Sequence, residues 1–294
     1  MADSWVLISG ASTGIGRAAA VALAERGFHV LAGVRAEKAG AALVEMASPG
    51  VRARLMPIQL DVTNAESIAA AVALAADKSG SNGLRVLINN AGIVVPGPVE
   101  YLSLDDWRRQ FEVNFFGAIG LTRAVLPLLR KAVTAHGRGL PRVVLISSIG
   151  GRVAQPFIAP YTSSKFALTA LGDSLRLELR RQGIGVTVIE PGAVKTEIWA
   201  KGDSAGAEFT PDHPAYKLYG TEIEGLIALS RRTAARGLVA ERAAEEIVGA
   251  VAAPRAPARV LVGTDAKIMA RLKALLPTSV FDGVLAKEFG IPKL

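Results

Sequence analysis

The chain of 294 residues contains no cysteine and only three histidines, His29, His136 and His213. Without a thiol there is no disulfide scaffold, no cysteine-ligated zinc or iron–sulfur centre, and no cysteine nucleophile. The three histidines are widely spaced and match no zinc-ligand pattern such as HExxH. The composition thus excludes several classes of redox and metal protein, and we expect no metal site.

Long apolar runs are also missing. The longest, such as residues 68–76, reach about half of the roughly 20 residues that a transmembrane helix needs. The first ten residues, MADSWVLISG, include an aspartate and no basic segment, which argues against a cleaved signal peptide. Together with the absence of cysteine, this predicts no membrane span and a cytoplasmic location.

Charge is not concentrated anywhere along the chain. The 34 lysines and arginines exceed the 26 acidic residues and give a net charge of +8, but they are scattered and are not interleaved with aromatic residues. Nucleic-acid-binding segments usually cluster both. We therefore expect no nucleic-acid partner, and a solvated basic surface that also helps to bind an anionic cofactor.

Short aliphatic runs alternate with alanine-rich amphipathic stretches. Seven strands are predicted at residues 5–9, 29–34, 54–60, 84–89, 142–147, 185–190 and 259–262. Helices are predicted at 14–26, 36–47, 64–79, 105–135 (broken near Asn114) and 160–182. Apolar strands separated by helices predict an α/β fold, a doubly wound Rossmann domain with a parallel seven-stranded sheet and helices on both faces.

We expect one domain over residues 1–294, because no linker or repeat divides the chain. Two segments depart from the alternation. Residues 197–237, interrupted by Pro211 and Pro214, predict an inserted lobe over the substrate. Residues 264–294 predict an extension with one amphipathic helix at 267–276 and an apolar tail.

A glycine-rich turn follows the first predicted strand. In VLISGASTGIGRAAA the glycines are Gly10, Gly14 and Gly16, placed where the first helix begins. Glycine permits a tight turn and a close approach to a diphosphate, whose charge the helix amides and dipole would face. The position in a βαβ unit favours a nucleotide-phosphate site over a purely structural turn.

The same turn also matches the GxSxG nucleophile elbow of α/β-hydrolases, with Ser12 at its centre. In a hydrolase the elbow follows several strands, and an acidic residue and then a histidine come later in the chain. Here Ser12 follows the first strand, and only His136 and His213 could serve. The hydrolase interpretation is therefore kept as an alternative that the position of Ser12 disfavours.

Tyr161 and Lys165 lie four residues apart in a predicted helix, and that spacing places them on one face. A phenol is a poor base at neutral pH unless positive charge lowers its pKa, and Lys165 would supply that charge. A hydroxyl at the end of the preceding strand could hold a substrate oxygen beside the phenol. Ser148 and its neighbour Ser147 are both candidates on local grounds.

Together these residues resemble the short-chain dehydrogenase/reductase family over the chain up to about residue 262. The matching motifs are GASTGIG (10–16), LDVT (60–63), NNAG (89–92), VNFFG (113–117), ISS (146–148), YTSSK (161–165) and PGAVKT (191–196). A weaker likeness points to the branch that contains steroid and retinol dehydrogenases. Ordered motifs of this number are far more specific than any one of them.

The resemblance implies four catalytic residues. Tyr161 would be the acid in ketone reduction and the base in alcohol oxidation. Lys165 would lower the pKa of Tyr161 and hold the ribose of the nicotinamide. Ser148 would hold the substrate oxygen, and Asn114 would interrupt its helix and support a water that relays protons to Lys165.

The resemblance also implies the cofactor contacts. Asp61 and Val62 would bind the adenine, and Val194 and Thr196 the nicotinamide carboxamide. The full expected set is Gly10, Ser12, Thr13, Gly14, Ile15, Gly16, Arg35, Asp61, Val62, Asn90, Ala91, Gly92, Tyr161, Lys165, Pro191, Gly192, Val194 and Thr196.

The choice between NADP and NAD depends on the end of the second strand. An acidic residue there would bind the ribose hydroxyls and repel a 2′-phosphate, and AGVRAEK has none before Arg35. The guanidinium of Arg35 suits a 2′-phosphate. This favours NADP, with NAD as the alternative if Arg35 is only a solvated loop charge.

Large apolar residues of the 197–237 segment favour an apolar alcohol or ketone as substrate, unless they simply pack on the sheet. Basic residues flank the apolar stripe of the C-terminal extension. Weak binding to a membrane surface is therefore an alternative to burial of this extension against the core. By resemblance, the helices that hold Asn114 and Tyr161 would pair in a homodimer, or in a homotetramer.

Two functions are compatible with the motifs. The first is an NAD(P)-dependent oxidoreductase that interconverts a hydrophobic secondary alcohol and ketone. The second is a dinucleotide-binding sensor or scaffold without turnover, because a fold alone does not establish a function. Asn114, Ser148, Tyr161 and Lys165 together favour the enzyme, since cofactor binding alone needs no phenol beside a serine.

Overall fold

The computed structural model of the protein describes residues 4–198 and 209–292. Its strands are β1 (Trp5–Ile8), β2 (His29–Val34), β3 (Leu55–Gln59), β4 (Leu84–Asn89), β5 (Arg142–Ile146), β6 (Gly185–Pro191) and β7 (Arg259–Val262). They form one sheet in the order β3-β2-β1-β4-β5-β6-β7, and every neighbouring pair is parallel. The predicted seven-stranded parallel sheet is confirmed.

Helices connect successive strands. Those before β7 are α1 (Gly14–Glu25), α2 (Glu37–Met46), α3 (Pro49–Arg52), α4 (Ala65–Ser79), α5 (Leu104–Phe111), α6 (Gly117–His136), α7 (Ala159–Glu178), α8 (Pro214–Arg236) and α9 (Ala240–Ala252). After β7 come α10 (Thr264–Leu275) and α11 (Thr278–Glu288). Short 3₁₀ turns lie at Gly80–Asn82, Val99–Tyr101 and Ile149–Gly151.

The two faces of the sheet carry separate apolar cores, because successive strand residues point to opposite sides. In β1, Val6 and Ile8 join the core on one face, which α1 and α9 cover. Leu7 joins the core on the other face, which α4, α6 and α7 cover. A strand buried on both faces reads as a continuous apolar run, which explains the sequence pattern.

The strand order reverses between β1 and β4. The chain builds β1, β2 and β3 outward in one direction and then returns to place β4 against the other side of β1. In doubly wound sheets, ligands bind in the crevice at the carboxyl ends of the strands that flank this reversal. Gly10, after β1, and Asn90, after β4, lie at this edge.

A π-helical segment, Glu112–Phe116, joins α5 to α6. It contains Asn114, so the break predicted there is confirmed. The whole helical stretch Leu104–His136 is long and apolar enough to cross a membrane by length and composition alone, with 39% of its most apolar window buried. Core helices of soluble proteins pass the same test, and the absence of a membrane span stays a prediction.

The C-terminal third contains more helix than the sequence pattern indicates. Part of the predicted lobe, residues 199–208, lies outside the described residues, and most of the rest forms α8. Pro214 begins that helix, which is where proline is best tolerated. Helix α9 was not predicted, and the apolar tail of the extension forms α11. The one-domain organisation stays a prediction.

Candidate active site

A cleft of about 380 Å³ opens at the carboxyl edge of the sheet. Every residue that the sequence predicts for cofactor binding lines it, together with Ser148, Tyr161 and Lys165. Asn114 is 1% exposed and is not among the lining residues. Ser147, the alternative to Ser148, lines the cleft as well, and several other lining residues were not predicted as site residues: Leu60, Thr63, Ile93, Val94, Val95, Arg109, Val113, Ile146 and Ile198.

The glycine turn takes conformations that other residues rarely adopt. Gly10 has φ +68° and Gly14 has φ +56°, both in the left-handed region that glycine adopts most easily. A Cβ at Gly16 would lie 2.3 Å from the carbonyl oxygen of Gly10, and a Cβ at Gly14 would lie 2.9 Å from Cγ2 of Thr196. The turn is thus packed against itself and against the 191–196 segment.

Side chains from β1 and β4 fix this turn. The Asn90 amide donates to the carbonyl oxygens of Ser9 and Gly10, at 3.0 and 2.9 Å. The Ser9 hydroxyl in turn accepts from the backbone N–H groups of Asn90 and Ala91, both at 3.1 Å. Ser9 was not predicted as a site residue, because a serine that ends a buried strand has no distinctive signal.

The N-terminus of α1 fits an anionic group. Its N-cap residue, Thr13, makes no side-chain capping hydrogen bond, and the first turn contains no acidic residue. The first amides of this helix therefore have no side-chain acceptor of their own, and the helix dipole favours negative charge there. A dinucleotide diphosphate at this end of the cleft would meet both requirements.

Arg35 and Asp61 lie together in the part of the cleft beyond the turn. The pKa of Asp61 is lowered mainly by hydrogen bonds from Thr63, whose N–H and hydroxyl donate to Oδ1 at 2.9 and 2.7 Å. The charge of Arg35 lowers it further. The guanidinium of Arg35 is exposed and available to an anionic ligand.

At the other end of the cleft, Ser148, Tyr161 and Lys165 lie together. The Ser148 hydroxyl faces the Tyr161 phenol, and a Cβ at Gly150 would lie 3.4 Å from both Ser148 Oγ and Tyr161 Cε1. The Lys165 ammonium lies 5.8 Å from the centre of the Tyr161 ring and donates to the carbonyl oxygen of Ile146 at 2.8 Å. Tyr161 is 9% exposed and Lys165 is 4% exposed.

Burial is the main influence on the pKa values of Tyr161 and Lys165. It raises the pKa of the Tyr161 phenol above its ordinary 10, against a smaller lowering by the hydrogen bond with Ser148. Burial also lowers the pKa of Lys165 to about 8. The sequence predicts that Lys165 lowers the pKa of Tyr161, but in the structure desolvation outweighs any such effect and the phenol stays protonated at neutral pH.

The structure separates the two candidate serines. The Ser147 hydroxyl is buried between α7 and β5, where it donates to the Lys165 carbonyl oxygen at 3.1 Å and bonds the Thr169 hydroxyl at 2.8 Å. The Ser148 oxygen instead accepts from the Gly150 N–H at 3.0 Å and faces Tyr161. Of the two, only Ser148 meets the phenol.

Asn114 ties the π-helical segment to two neighbouring elements. Its Oδ1 accepts from the Ile93 N–H at 2.8 Å, and its Nδ2 donates to the Ile93 carbonyl oxygen and to the Ser164 hydroxyl, both at 3.1 Å. Gln110, fully buried one turn earlier, spans the same loop with bonds to Val95 N–H and Ile93 carbonyl, both 2.8 Å. The loop after β4 is thereby held against the helix below the cleft.

Glu190 is a fully buried carboxylate at the end of β6. Its oxygens pair with Arg152 at 2.8 Å and with Arg259 at 2.7 Å. Arg259 also pairs with Asp173 on α7. This network joins the segment after Ser148, helix α7 and β7, and no motif pointed to it.

The hydrolase interpretation finds no support in this geometry. No histidine among the described residues lines the cleft around Ser12. His213 accepts a hydrogen bond from the Ala215 N–H and packs its ring edge-on against Phe209 and Tyr101. Within residues 4–198 and 209–292, no group of His, Cys, Asp or Glu is arranged to hold a metal ion; the expected lack of a metal stays a prediction.

The fold and cleft define a class, a Rossmann protein with a nucleotide crevice that ends at a Ser–Tyr–Lys group. A family model described as short chain dehydrogenase matches residues 4–205. The chain belongs to this family, as its motifs predict, and is an NAD(P)-dependent oxidoreductase.

Three known proteins illustrate the likeness. An NADPH-dependent 3-dehydrocapnine reductase of Ornithobacterium rhinotracheale is 32% identical over 97% of this chain and 96% of its own length. Retinol dehydrogenase 5 of Mus musculus is 38% identical over 67% of this chain and 58% of its own. A short chain dehydrogenase structure from Burkholderia cenocepacia, in complex with NADP, matches with TM-score 0.69 and 25% identity over 99% of this chain and 100% of that one. The predicted likeness to the retinol dehydrogenase branch is confirmed.

Proposed function

We propose that the protein interconverts a hydrophobic secondary alcohol and the corresponding ketone with NADP, and that Tyr161 is the general acid and base. One observation carries this proposal. Ser148 and Tyr161 face each other beside the Lys165 ammonium at one end of the cleft whose other end is the glycine turn. Binding a dinucleotide requires the turn but not the phenol.

When bound in the cleft, the nicotinamide cofactor would supply the hydride for ketone reduction and accept it for alcohol oxidation. For ketone reduction, a proton must reach the carbonyl oxygen as the hydride arrives at carbon. Tyr161 is suited to this step because burial keeps its phenol protonated at neutral pH. The Ser148 hydroxyl, already in contact with the phenol, would donate to the same oxygen and hold it within reach. In the reverse direction the phenol must first lose its proton, and the Tyr161 phenolate would then accept the proton of the alcohol.

Lys165 and Asn114 would support the phenol. With a pKa of about 8, Lys165 is mainly protonated at neutral pH, so its positive charge favours the phenolate that forms when Tyr161 gives up its proton. A Cβ at Gly92 would lie 3.4 Å from Asn114 Oδ1 and 3.6 Å from Lys165 Nζ. The absence of a side chain at Gly92 leaves a space that both polar groups border, which suits a relayed proton.

The preference for NADP over NAD rests on Arg35. Arg35 lines the cleft beside Asp61 and is exposed, and β2 ends at Val34 without an acidic residue. The NADPH dependence of the capnine-type reductase and the NADP bound to the Burkholderia cenocepacia protein support the same cofactor. NAD remains the alternative.

The apolar substrate is supported by the cleft rather than by the lobe. Ile93, Val94, Val95 and Ile198 line the cleft. Phe209 and Ile223, from the predicted lobe, instead pack into a small core with Val95 and other residues of the 95–107 segment. Among the described residues of the lobe, Phe209 and Ile223 therefore serve packing, whereas Ile198 lines the cleft. A steroid, a retinoid or a similar apolar molecule belongs to the class of substrate that these aliphatic side chains favour.

Loss of NADPH absorbance in the presence of ketones tests the proposal. We expect turnover with bulky apolar ketones and a lower kcat/KM for hydroxylated ketones of the same size, because polar groups would be buried against aliphatic side chains. NADPH binding without turnover of any ketone in the panel would favour the sensor or scaffold. A preference for the hydroxylated ketones would contradict the apolar substrate.

We further propose that two copies pair through the helices that hold Asn114 and Tyr161. Phe116, Phe166 and Leu177 lie on these elements and are 51%, 41% and 70% exposed. Large apolar side chains grouped on neighbouring helices are typical of subunit contacts. A second copy would bury the same residues from both sides, as two-fold symmetry requires.

Sedimentation of the F116E/F166E variant tests this pairing. We expect it to be monomeric at concentrations where the wild type is a dimer or tetramer, since a charge would enter an apolar contact. L275E is the matched control, because Leu275 is 80% exposed on α10. A double variant with the mass of the wild type would contradict the proposed interface. The cytoplasmic location and the weak membrane contact of the extension stay predictions.

A further inference from the structure

The C-terminal extension contacts the 191–196 segment, which lines the cleft. Asp265, in the first turn of α10, accepts a hydrogen bond from the Ala193 N–H at 2.6 Å. The two residues are 72 positions apart in the chain. Ala193 belongs to the 191–196 segment, and four residues of that segment line the cleft: Pro191, Gly192, Val194 and Thr196.

The Asp265 carboxylate lies between two glycines. A Cβ at Gly192 would be 2.2 Å from Asp265 Oδ2, and a Cβ at Gly263 would be 2.4 Å from Oδ1. Neither position could carry a larger residue without moving the carboxylate. Gly263 has φ +96°, so it is favoured by conformation as well, whereas Gly192 is required only by the approach of Asp265.

The other side of the same segment is held by Leu238. The Leu238 N–H donates to the Ala193 carbonyl oxygen at 2.9 Å, and the Lys195 N–H donates to the Leu238 carbonyl oxygen at 2.8 Å. Ala193 is therefore fixed at both of its backbone polar groups, its N–H by Asp265 and its carbonyl by Leu238. Removal of the Asp265 carboxylate would leave the Ala193 N–H without this acceptor, while the Gly192 N–H would keep its bond to the Val262 carbonyl oxygen.

Helix α10 is itself anchored next to the catalytic serine. Ala266 and Ala270 of α10 and Phe281 of α11 pack with Ile149 and Val153, which follow Ser148. The extension therefore contacts the segment after Ser148 through apolar packing and the 191–196 segment through one carboxylate. Through its hydrogen bond with Ala193, Asp265 connects the 191–196 segment to a helix that packs against the segment after Ser148.

We propose that Asp265 is a positioning residue, which acts through Ala193 to hold the 191–196 backbone where the nicotinamide of the cofactor binds. This inference rests on the proposed function, because it assigns the nicotinamide to that end of the cleft. It does not involve the adenosine end, where Arg35 and Asp61 lie. Asp265 should thus affect only the half of the cofactor that carries the reactive ring.

Fragment binding tests this separation. For D265A we expect the Kd of NADPH to rise by about tenfold, as for the loss of a charge-assisted hydrogen bond, while the Kd of adenosine 2′,5′-bisphosphate stays within twofold of the wild type. D265N retains a carbonyl acceptor of the same size and should recover part of the loss. D282A, which removes an exposed carboxylate from α11, is the matched control.

A purely structural role would behave differently. If Asp265 only stabilises α10, D265A would lower the melting temperature and leave both Kd values unchanged, or weaken both ligands equally; either result overturns the inference. Wild-type protein that binds the bisphosphate but not NADPH overturns it as well. Wild-type protein that binds neither ligand overturns the proposed function and this inference together.

A double-mutant cycle with Gly192 gives a second test, which asks whether Gly192 and Asp265 act through the same contact. G192A should weaken NADPH binding because its Cβ would displace the Asp265 carboxylate. In the D265A background the same methyl group has space, so the combined loss should be well below the product of the two single losses. Independent, multiplicative losses would show that the contact is not the cause.

Discussion

Replacing Tyr161 with phenylalanine is expected to lower kcat for ketone reduction by about a thousandfold, within the range of general acid catalysis. The change removes one oxygen from a side chain that is 9% exposed and faces Ser148. The aromatic ring remains to fill the space, so the fold should be retained. Without the phenol, the substrate oxygen keeps the hydrogen bond proposed from Ser148 but loses the acid that would protonate it as the hydride arrives. Single-turnover measurement of NADPH oxidation would isolate this step from product release.

Two comparisons separate loss of chemistry from loss of structure. The Kd of NADPH should change by about tenfold at most in Y161F, because a single neutral hydrogen bond contributes about 0.5 to 1.5 kcal/mol and each 1.4 kcal/mol is roughly tenfold. Y216F removes a phenol from α8, where its hydroxyl bonds Glu224, and should keep near wild-type kcat. A Y161F variant that retains more than a tenth of wild-type kcat would contradict the role of Tyr161.

The sequence predicted the sheet well because its determinants are local. Strands buried on both faces must be continuous apolar runs, and the glycine turn needs small residues at fixed spacing, so both leave a direct pattern. Residues 197–252 left no comparable pattern, although β7 and the helix at 267–276 were predicted further along the chain. Pro214 was interpreted as a break although it begins α8, since proline at a first helical position and proline in a loop look alike in sequence.

Contacts between residues that are far apart in the chain could not be predicted from local sequence patterns. Ser147 and Ser148 are adjacent hydroxyls, and only the fold shows that the first bonds Lys165 and Thr169 of α7 while the second meets Tyr161. Arg142 is fully buried and donates to the carbonyl oxygens of Ala250 and Ala253 at the end of α9. A charged residue beginning a strand would ordinarily be assigned to the surface.

The direction of the pKa shift of Tyr161 could not be predicted from the sequence for a different reason. Lysine four residues along a helix predicts a lowered phenol pKa if charge dominates, but the sequence does not reveal how deeply either group is buried. In the structure both are nearly inaccessible, and desolvation raises the pKa of Tyr161 while lowering that of Lys165 to about 8. The sign of such a shift depends on burial, which is a property of the whole fold.

The coenzyme preference should reverse when Arg35 is replaced by aspartate. Arg35 is the cation that faces Asp61 at the adenosine end of the cleft, and a charge-assisted contact with a 2′-phosphate contributes about 1.5 to 3 kcal/mol. Its loss should lower kcat/KM for NADPH by about 10- to 100-fold, at roughly tenfold for each 1.4 kcal/mol. The new carboxylate repels the 2′-phosphate and can accept hydrogen bonds from the free ribose hydroxyls of NADH. We therefore expect the NADPH to NADH ratio of kcat/KM to fall by more than about 100-fold.

The control for R35D must change the net charge equally at a distance from the cleft. R26D does so, because Arg26 is exposed and follows the end of α1 that points away from the glycine turn. If the preference came from the basic surface as a whole, the two variants would shift the ratio by similar amounts, and raising the salt concentration would remove the difference. A local phosphate contact predicts a shift in R35D alone. A wild-type protein that already prefers NADH would show that Arg35 is a solvated loop charge, and the ribose hydroxyls would then have to be bound by other groups at the end of β2.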